Sequence, residues 1–273
     1  MAVLRLTKHN PPQHRKRKGH LMEATNKQAI IDLAIQAGNA IMEIYQKDFA
    51  VYDKSDSSPL TEADLAAHHL LVEGLERLTE YPVLSEESSE EIKQERLNWD
   101  EYWLIDPLDG TKEFVKKNGE FTVNIALIQQ GKPTFGVVYA PALETLYVGD
   151  IKQGAYKQEN GKAAQSITVR TKPTQKSDFV IVGSRSHQSD EFKAFIADYP
   201  GADIVSMGSS LKLCLVAEGK ADIYPRLGLT CEWDTAAAHA VVEAAGGQVL
   251  HAETGQPLQY NKEDLLNPFF IVK

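Results

Sequence analysis

The chain has 273 residues, 42% of them hydrophobic and 25% charged, with a formal net charge of −9; this is ordinary globular usage, enough for one large domain or two that share an interface. Apolar runs such as Phe179-Val180-Ile181-Val182 fall far short of the roughly 18 to 20 residues that span a bilayer, and Cys214 and Cys231 offer no disulfide framework, so a reducing, cytoplasmic setting is expected. An acidic body argues against a nucleic-acid polymer as partner, and an anion handled on such a surface needs a cation or local basic groups.

Residues 1–21 carry Arg5, Lys8, Arg15, Lys16, Arg17 and Lys18 and no acid. The cluster lacks the apolar stretch of a secretory signal, and reads as a disordered basic tail; peripheral association with an anionic inner membrane is its alternative use. From Gln28 to Tyr45, Ile30, Ile31, Ala34, Ile35, Ile41, Met42 and Tyr45 recur at helical spacing and predict an amphipathic helix. After a polar turn at Asp53 to Pro59, Thr61 as N-cap with Asp64 three residues on opens a second helix reaching Leu78. Ser85 to Arg96 is a charge run. Trp103 to Ile105, Phe121 to Ile128, Phe135 to Tyr139 and Thr145 to Val148 predict a largely antiparallel sheet. Beyond residue 172 the rhythm alternates: strands at Phe179 to Val182 and Ala221 to Tyr224, helices at Glu191 to Ala197 and Ser210 to Glu218. A last helix at Trp233 to Ala245 has Asp234 at its start and Gly246-Gly247 at its end. The expected organisation is a tail (1–21), an N-terminal α+β lobe (22–171) and a C-terminal α/β lobe (172–273).

Asp106-Pro107-Leu108-Asp109-Gly110-Thr111 closes a predicted buried strand. Two carboxylates three residues apart, stiffened by proline and followed by glycine, can aim at one point. Such oxygen ligands, with the Leu108 carbonyl beside them, suit a hard cation such as Mg²⁺, whereas the His and Cys set of a zinc site is missing. Gly110 and Thr111 would turn backbone N–H groups toward a phosphate. An Asp/Pro/Gly turn is the plain alternative, yet its five defining positions recur by chance at roughly one in a million starts at average residue frequencies, which favours a functional reading.

With Ser85-Glu86-Glu87-Ser88 before it and Trp233-Asp234-Thr235-Ala236-Ala237 after it, this loop resembles the signature of the inositol monophosphatase superfamily. Asp106 to Phe114 together with Gly119 to Asn124 is most similar to the bacterial 3'(2'),5'-bisphosphate nucleotidase branch. The resemblance implies a layered αβαβα sandwich of the sugar-phosphatase type, an α+β fold whose two lobes hold the active site between them. It implies two or three Mg²⁺ ions on Glu86, Asp106, Asp109, Asp234 and the Leu108 carbonyl, with Asp64 and Thr111 orienting or deprotonating the attacking water. It also implies contacts to a small nucleotide bisphosphate from Glu86, Leu108, Asp109, Gly110, Thr111, Asp234, Ser184, His187, Ser209 and Lys212. The implied reaction is hydrolysis of adenosine 3',5'-bisphosphate to AMP and phosphate. Inositol monophosphatase is the alternative enzyme, and a non-catalytic nucleotide or metal sensor the alternative of another class.

Each residue also has a plain role available. Asp64 could close a capping box, Asp234 could be only an N-cap, and Glu87, Glu90, Glu91 and Glu95 read as solvated charges. His68 and His69 diverge by about 100° on a helix and are not expected to share an ion.

Overall fold

The computed structural model describes residues 24–47, 51–53, 59–183 and 189–273. Helix α1 (Ala24–Tyr45) is followed by the short hairpin strands β1 (Val51–Asp53) and β2 (Pro59–Thr61), then α2 (Glu62–Leu78), β3 (Val83–Ser85), α3 (Glu90–Glu95) and β4 (Glu101–Asp109). After the one-turn α4 (Thr111–Val115) come β5 (Thr122–Gln129), β6 (Lys132–Ala140), β7 (Thr145–Asp150), β8 (Gly154–Glu159) and β9 (Gln165–Ile167). The remainder is β10 (Val180–Gly183), α5 (Asp190–Ala197), β11 (Asp203–Ser206), α6 (Leu211–Ala217), β12 (Tyr224–Arg226), α7 (Ala236–Ala244), β13 (Val249–His251) and β14 (Phe270–Val272).

Strands β3 to β9 form one sheet in sequence order, parallel between β3 and β4 and antiparallel thereafter. Its strands β4 and β5 are apolar on both faces, so successive residues enter different cores. Trp103, Ile105, Val123 and Ile125 pack under α1 and α2, where Ile30, Ala34, Ala37, Leu71 and Leu75 are wholly buried. Their neighbours Tyr102, Leu104, Ala126 and Ile128 face α6 and α7 on the other side. Beyond α6 and α7 lies a second sheet. The parallel pair β10–β11 adjoins β12 through Ile181 and Ile223, and β12–β14–β13 continues it. Within β10, Val182 joins the α6/α7 core while Ile181 joins Phe179, Ile223 and Phe192 of α5. The result is five layers, helix, sheet, helix, sheet, helix, as the sequence led one to expect.

Helix α7 rests directly on backbone. A Cβ built at Gly136 would stand 2.2 Å from the Ala237 carbonyl oxygen, and one at Gly149 would stand 2.4 Å from Val241 Cα. Atoms do not approach so closely, so only glycine lets the alanine-rich helix lie this near the sheet.

Two expectations need correction. The last helix begins at Ala236, so Asp234 is not its N-cap but part of the preceding turn. Strands β1, β2, β3, β8, β9, β11, β13 and β14 were not expected; none exceeds six residues, and β8, β9 and β11 are largely polar or exposed, so neither period nor burial marks them. Arg96, at the end of the charge run, is 2% exposed. The basic tail, Ser184 and His187 lie outside the described residues.

Candidate active site

In an extended strand, residues three apart point to opposite faces. Asp106 and Asp109 nevertheless converge, because the pairing of β4 with β5 jumps from Asp106↔Asn124 to Asp109↔Thr122. Pro107 has no N–H to place in the ladder, and the extra residue bulges. The Asp106 carboxylate accepts the freed Leu108 N–H at 3.1 Å. Gly110 then turns the chain with φ 89, a conformation costly to any other residue, and α4 starts at Thr111. The Thr111 hydroxyl donates to the Leu108 carbonyl at 3.3 Å.

Asp234 reaches the same place from the turn before α7. Its carboxylate accepts the Cys231 N–H at 2.7 Å, tying the turn to itself. One carboxylate oxygen each from Asp106, Asp109 and Asp234 lies within 4.8 Å of the others. The Asp109 carboxylate is anchored across the fold, taking the Ser210 N–H at 2.6 Å and the Ser209 hydroxyl. Both serine hydroxyls also meet Thr122, and Ser210 donates to Asn124 at 2.9 Å.

These charges oppose one another. Burial, then Glu86, Asp109, Asp234 and Asp64, push the Asp106 carboxyl well above its ordinary range. Burial and Asp109 push Asp234 up to about 8, against the relief it takes from the Cys231 N–H and Arg226. Glu86 stands outside the three-oxygen set but is the foremost like charge on Asp106; its N–H is held by the Ile105 carbonyl at 3.2 Å. Asp64 is fully buried on α2 and adds to the same repulsion. Three hard oxygens this close, at a strand end and short of positive charge, fit a divalent cation better than they fit one another.

Asp109 and Asp234 line a cavity of about 500 Å³ to which both halves of the chain contribute. Gly110, Ser209 and Lys212 line it too. Burial lowers the Lys212 ammonium, with Asp109 the main opposing influence, and its Nζ donates to the Met207 carbonyl at 3.4 Å. Sequence reasoning missed Arg226, which lines the same cavity at the end of β12. The Arg226 Nη2 donates to the Leu229 carbonyl at 2.9 Å, whereas Nε is buried with no hydrogen-bond partner among the described residues. Arg226 also bears on Tyr224, whose phenol is nonetheless pushed up to about 12 by burial. It lies two residues past the predicted strand Ala221 to Tyr224, and nothing in the sequence marks it off from a solvated arginine. Phe192, Leu213 and Tyr224 supply apolar wall. His68 and His69 take no part in the three-aspartate cluster; the His68 Nδ1 meets the Ser85 hydroxyl at 2.9 Å.

Residues 23–268 match the family described as the Inositol monophosphatase family. The 3'(2'),5'-bisphosphate nucleotidase CysQ of Escherichia coli strain K12 is 49% identical over 249 residues, 89% of this chain and 97% of that protein. The nucleotidase of the same name from Haemophilus influenzae is 38% identical over 245 residues, 89% of this chain and 90% of its own length. Among solved structures, CysQ from Bacteroides thetaiotaomicron, described as a bacterial member of the inositol monophosphatase family, is 45% identical, covering 91% of this chain and 97% of that one at a TM-score of 0.81.

Proposed function

Because the chain belongs to the inositol monophosphatase family, we propose that it is a Mg²⁺-dependent phosphomonoesterase that hydrolyses adenosine 3',5'-bisphosphate to AMP and phosphate. The observation that carries this reading is the make-up of one cavity: Asp109 and Asp234 of the converging cluster share its lining with Lys212 and Arg226. A nucleotide with two phosphates asks for that division, one phosphate at the metal and one on fixed cations. The likeness to proteins named bisphosphate nucleotidases supports the same substrate over inositol monophosphate.

Asp106, Asp109 and Asp234, with Glu86 and the Leu108 carbonyl, would hold two or three Mg²⁺ ions. Bound there, Mg²⁺ neutralises the phosphoryl oxygens and makes a water a competent nucleophile. The Thr111 hydroxyl would orient that water, and the Asp64 carboxylate would receive its proton. The N–H groups of Gly110 and Thr111 face the phosphate being transferred. Ser209 and Lys212, with Ser184 and His187, hold the sugar and the second phosphate, and Arg226 adds a second fixed charge there. The domain division at residue 172 would then place the metal-binding loop of Asp106 and Asp109 on one lobe and most contacts to the second phosphate on the other.

A phosphate-release panel tests this: adenosine 3',5'-bisphosphate, its 5'-phosphosulfate parent and inositol monophosphate, each with Mg²⁺ and after chelation. The bisphosphate should be the best substrate and chelation should abolish release. Preference for inositol monophosphate would overturn the substrate, and binding without turnover would point to a sensor.

A further inference from the structure

We propose that Glu232 is a positioning residue for Asp234, acting through a strap of residues 260–267 that Arg96 grips from its other side. The proposal rests on the reading of Asp234 as a metal ligand.

Glu232 is fully buried two residues before Asp234, yet it does not line the cavity. Its main chain organises the turn: the carbonyl accepts the N–H of Ala236 at 3.0 Å and of Thr235 at 3.2 Å, and the N–H donates to Leu265. Its carboxylate accepts the Asn261 N–H at 2.8 Å, the Lys262 N–H at 3.0 Å and the Lys262 ammonium. Asn261 is in turn held by Arg96, whose Nη1 donates to its side-chain oxygen at 3.1 Å, while the Asn261 amide donates to the carbonyls of Arg96 and Trp99. Arg96 Nη2 reaches the Glu263 carbonyl at 3.2 Å. Farther along the strap, the Asn267 amide donates to the Cys231 carbonyl at 2.7 Å and to the Thr235 hydroxyl at 3.1 Å.

The turn carrying Asp234 is therefore fastened from both sides, and the far anchor, Arg96, closes the segment that begins with Glu86. Apolar residues would fill this space at less cost if stability were the sole requirement. Charged groups with fixed bond directions hold a turn in one place, which a ligand beside two other aspartates requires.

Calorimetric titration of Mg²⁺ into chelator-stripped protein tests the proposal, with Tm in chelator measured alongside. Glu232→Gln turns an amide NH₂ against N–H donors, and should weaken Mg²⁺ binding by about ten- to a hundredfold. Asp222→Asn is the comparison. That buried carboxylate serves Val180 and Arg170, away from the cavity, so its loss should lower Tm and leave the Mg²⁺ Kd unchanged. A Glu232→Gln protein with lowered Tm and wild-type Kd would reduce Glu232 to a structural role and overturn the proposal. Should that variant not fold, Arg96→Lys, which keeps the charge and loses the two-armed grip, is judged by the same Kd. Wild-type protein that takes up no Mg²⁺ would defeat the metal-site reading itself, and the proposal with it.

Discussion

Two sets of carboxylates in this molecule meet opposite circumstances. Asp222 accepts the Val180 N–H at 2.7 Å and pairs with Arg170 at 3.1 Å, and Glu232 has two backbone donors and Lys262. Asp106, Asp109 and Asp234 each take a backbone N–H but no ion pair among the described residues, and they face one another. Asp106 is as buried as Asp222 and Glu232, so burial alone does not separate the sets; the difference is the compensating charge. At Asp222 and Glu232 a cation of the chain is bonded to the carboxylate. At the cavity Lys212 and Arg226 do not offset the repulsion, and the raised Asp106 and Asp234 carboxyls record the deficit.

The sharpest break of that contrast comes from removing one charge in each set. Asp106→Asn and Asp109→Asn should each cut phosphate release by on the order of 10²- to 10³-fold, since each removes a ligand from the site where charge develops. Without metal, Asp106→Asn should nevertheless raise Tm, by relieving repulsion, whereas Asp222→Asn should lose about 1 to 3 kcal/mol, because its amide oxygen can keep the Val180 N–H while its NH₂ is set against the Arg170 guanidinium. Equal losses of stability in chelator would erase the distinction.

Lys212→Ala should reduce kcat/KM for adenosine 3',5'-bisphosphate about ten- to a hundredfold, the worth of a charge-assisted hydrogen bond of about 1.5 to 3 kcal/mol. Inositol monophosphate hydrolysis should fall far less. Parallel losses would mean that Lys212, which acts on Asp109, supports the metal end instead.

The pH dependence of metal-free protein has a definite sign. Asp106 and Asp234 hold protons more tightly folded than unfolded, so their contribution to stability is complete below the ordinary 3.8 and declines as pH rises through the folded value, about 8 for Asp234. Tm in chelator should therefore fall between pH 5 and 8, and Mg²⁺ should restore it most at the upper end. A Tm that rises over this range would show that the aspartates do not carry the deficit. The smallest effect belongs to the basic tail: if its cations do not serve the aspartates, deleting residues 1–21 should leave kcat, measured by phosphate release, within about twofold.

How much of this was legible in the sequence follows from how local each device is. Asp106 to Thr111 can be read because proline, glycine and both carboxylates are contiguous, and even the bulge has its cause in Pro107. The outer helical layer of α1 and α2 is legible from Ile30 to Ile41 and from the apolar face of α2. Arg226 is not, since nothing in a three-residue strand distinguishes a cavity-facing arginine from a solvated one. Glu232 and Asn261 acquire meaning only when the chain brings residue 96 beside residue 261, a pairing no periodicity records. Asp234 was placed at its helix start with an N-cap as its plain alternative role; its carboxylate turns back to Cys231 instead of capping the helix.

Helix α7 follows the Asp234 turn and lies on the bare backbone of Gly136 and Gly149. Two absent side chains thus set the clearance of a beam whose near end follows Asp234. A single methyl at either glycine would act as a shim, prising the beam off its bed and carrying Asp234 away from two partners anchored in a different strand. Every group needed for chemistry would remain, correctly identified and out of alignment. The calibration of this site is stored on the sheet, in positions that never meet metal or substrate.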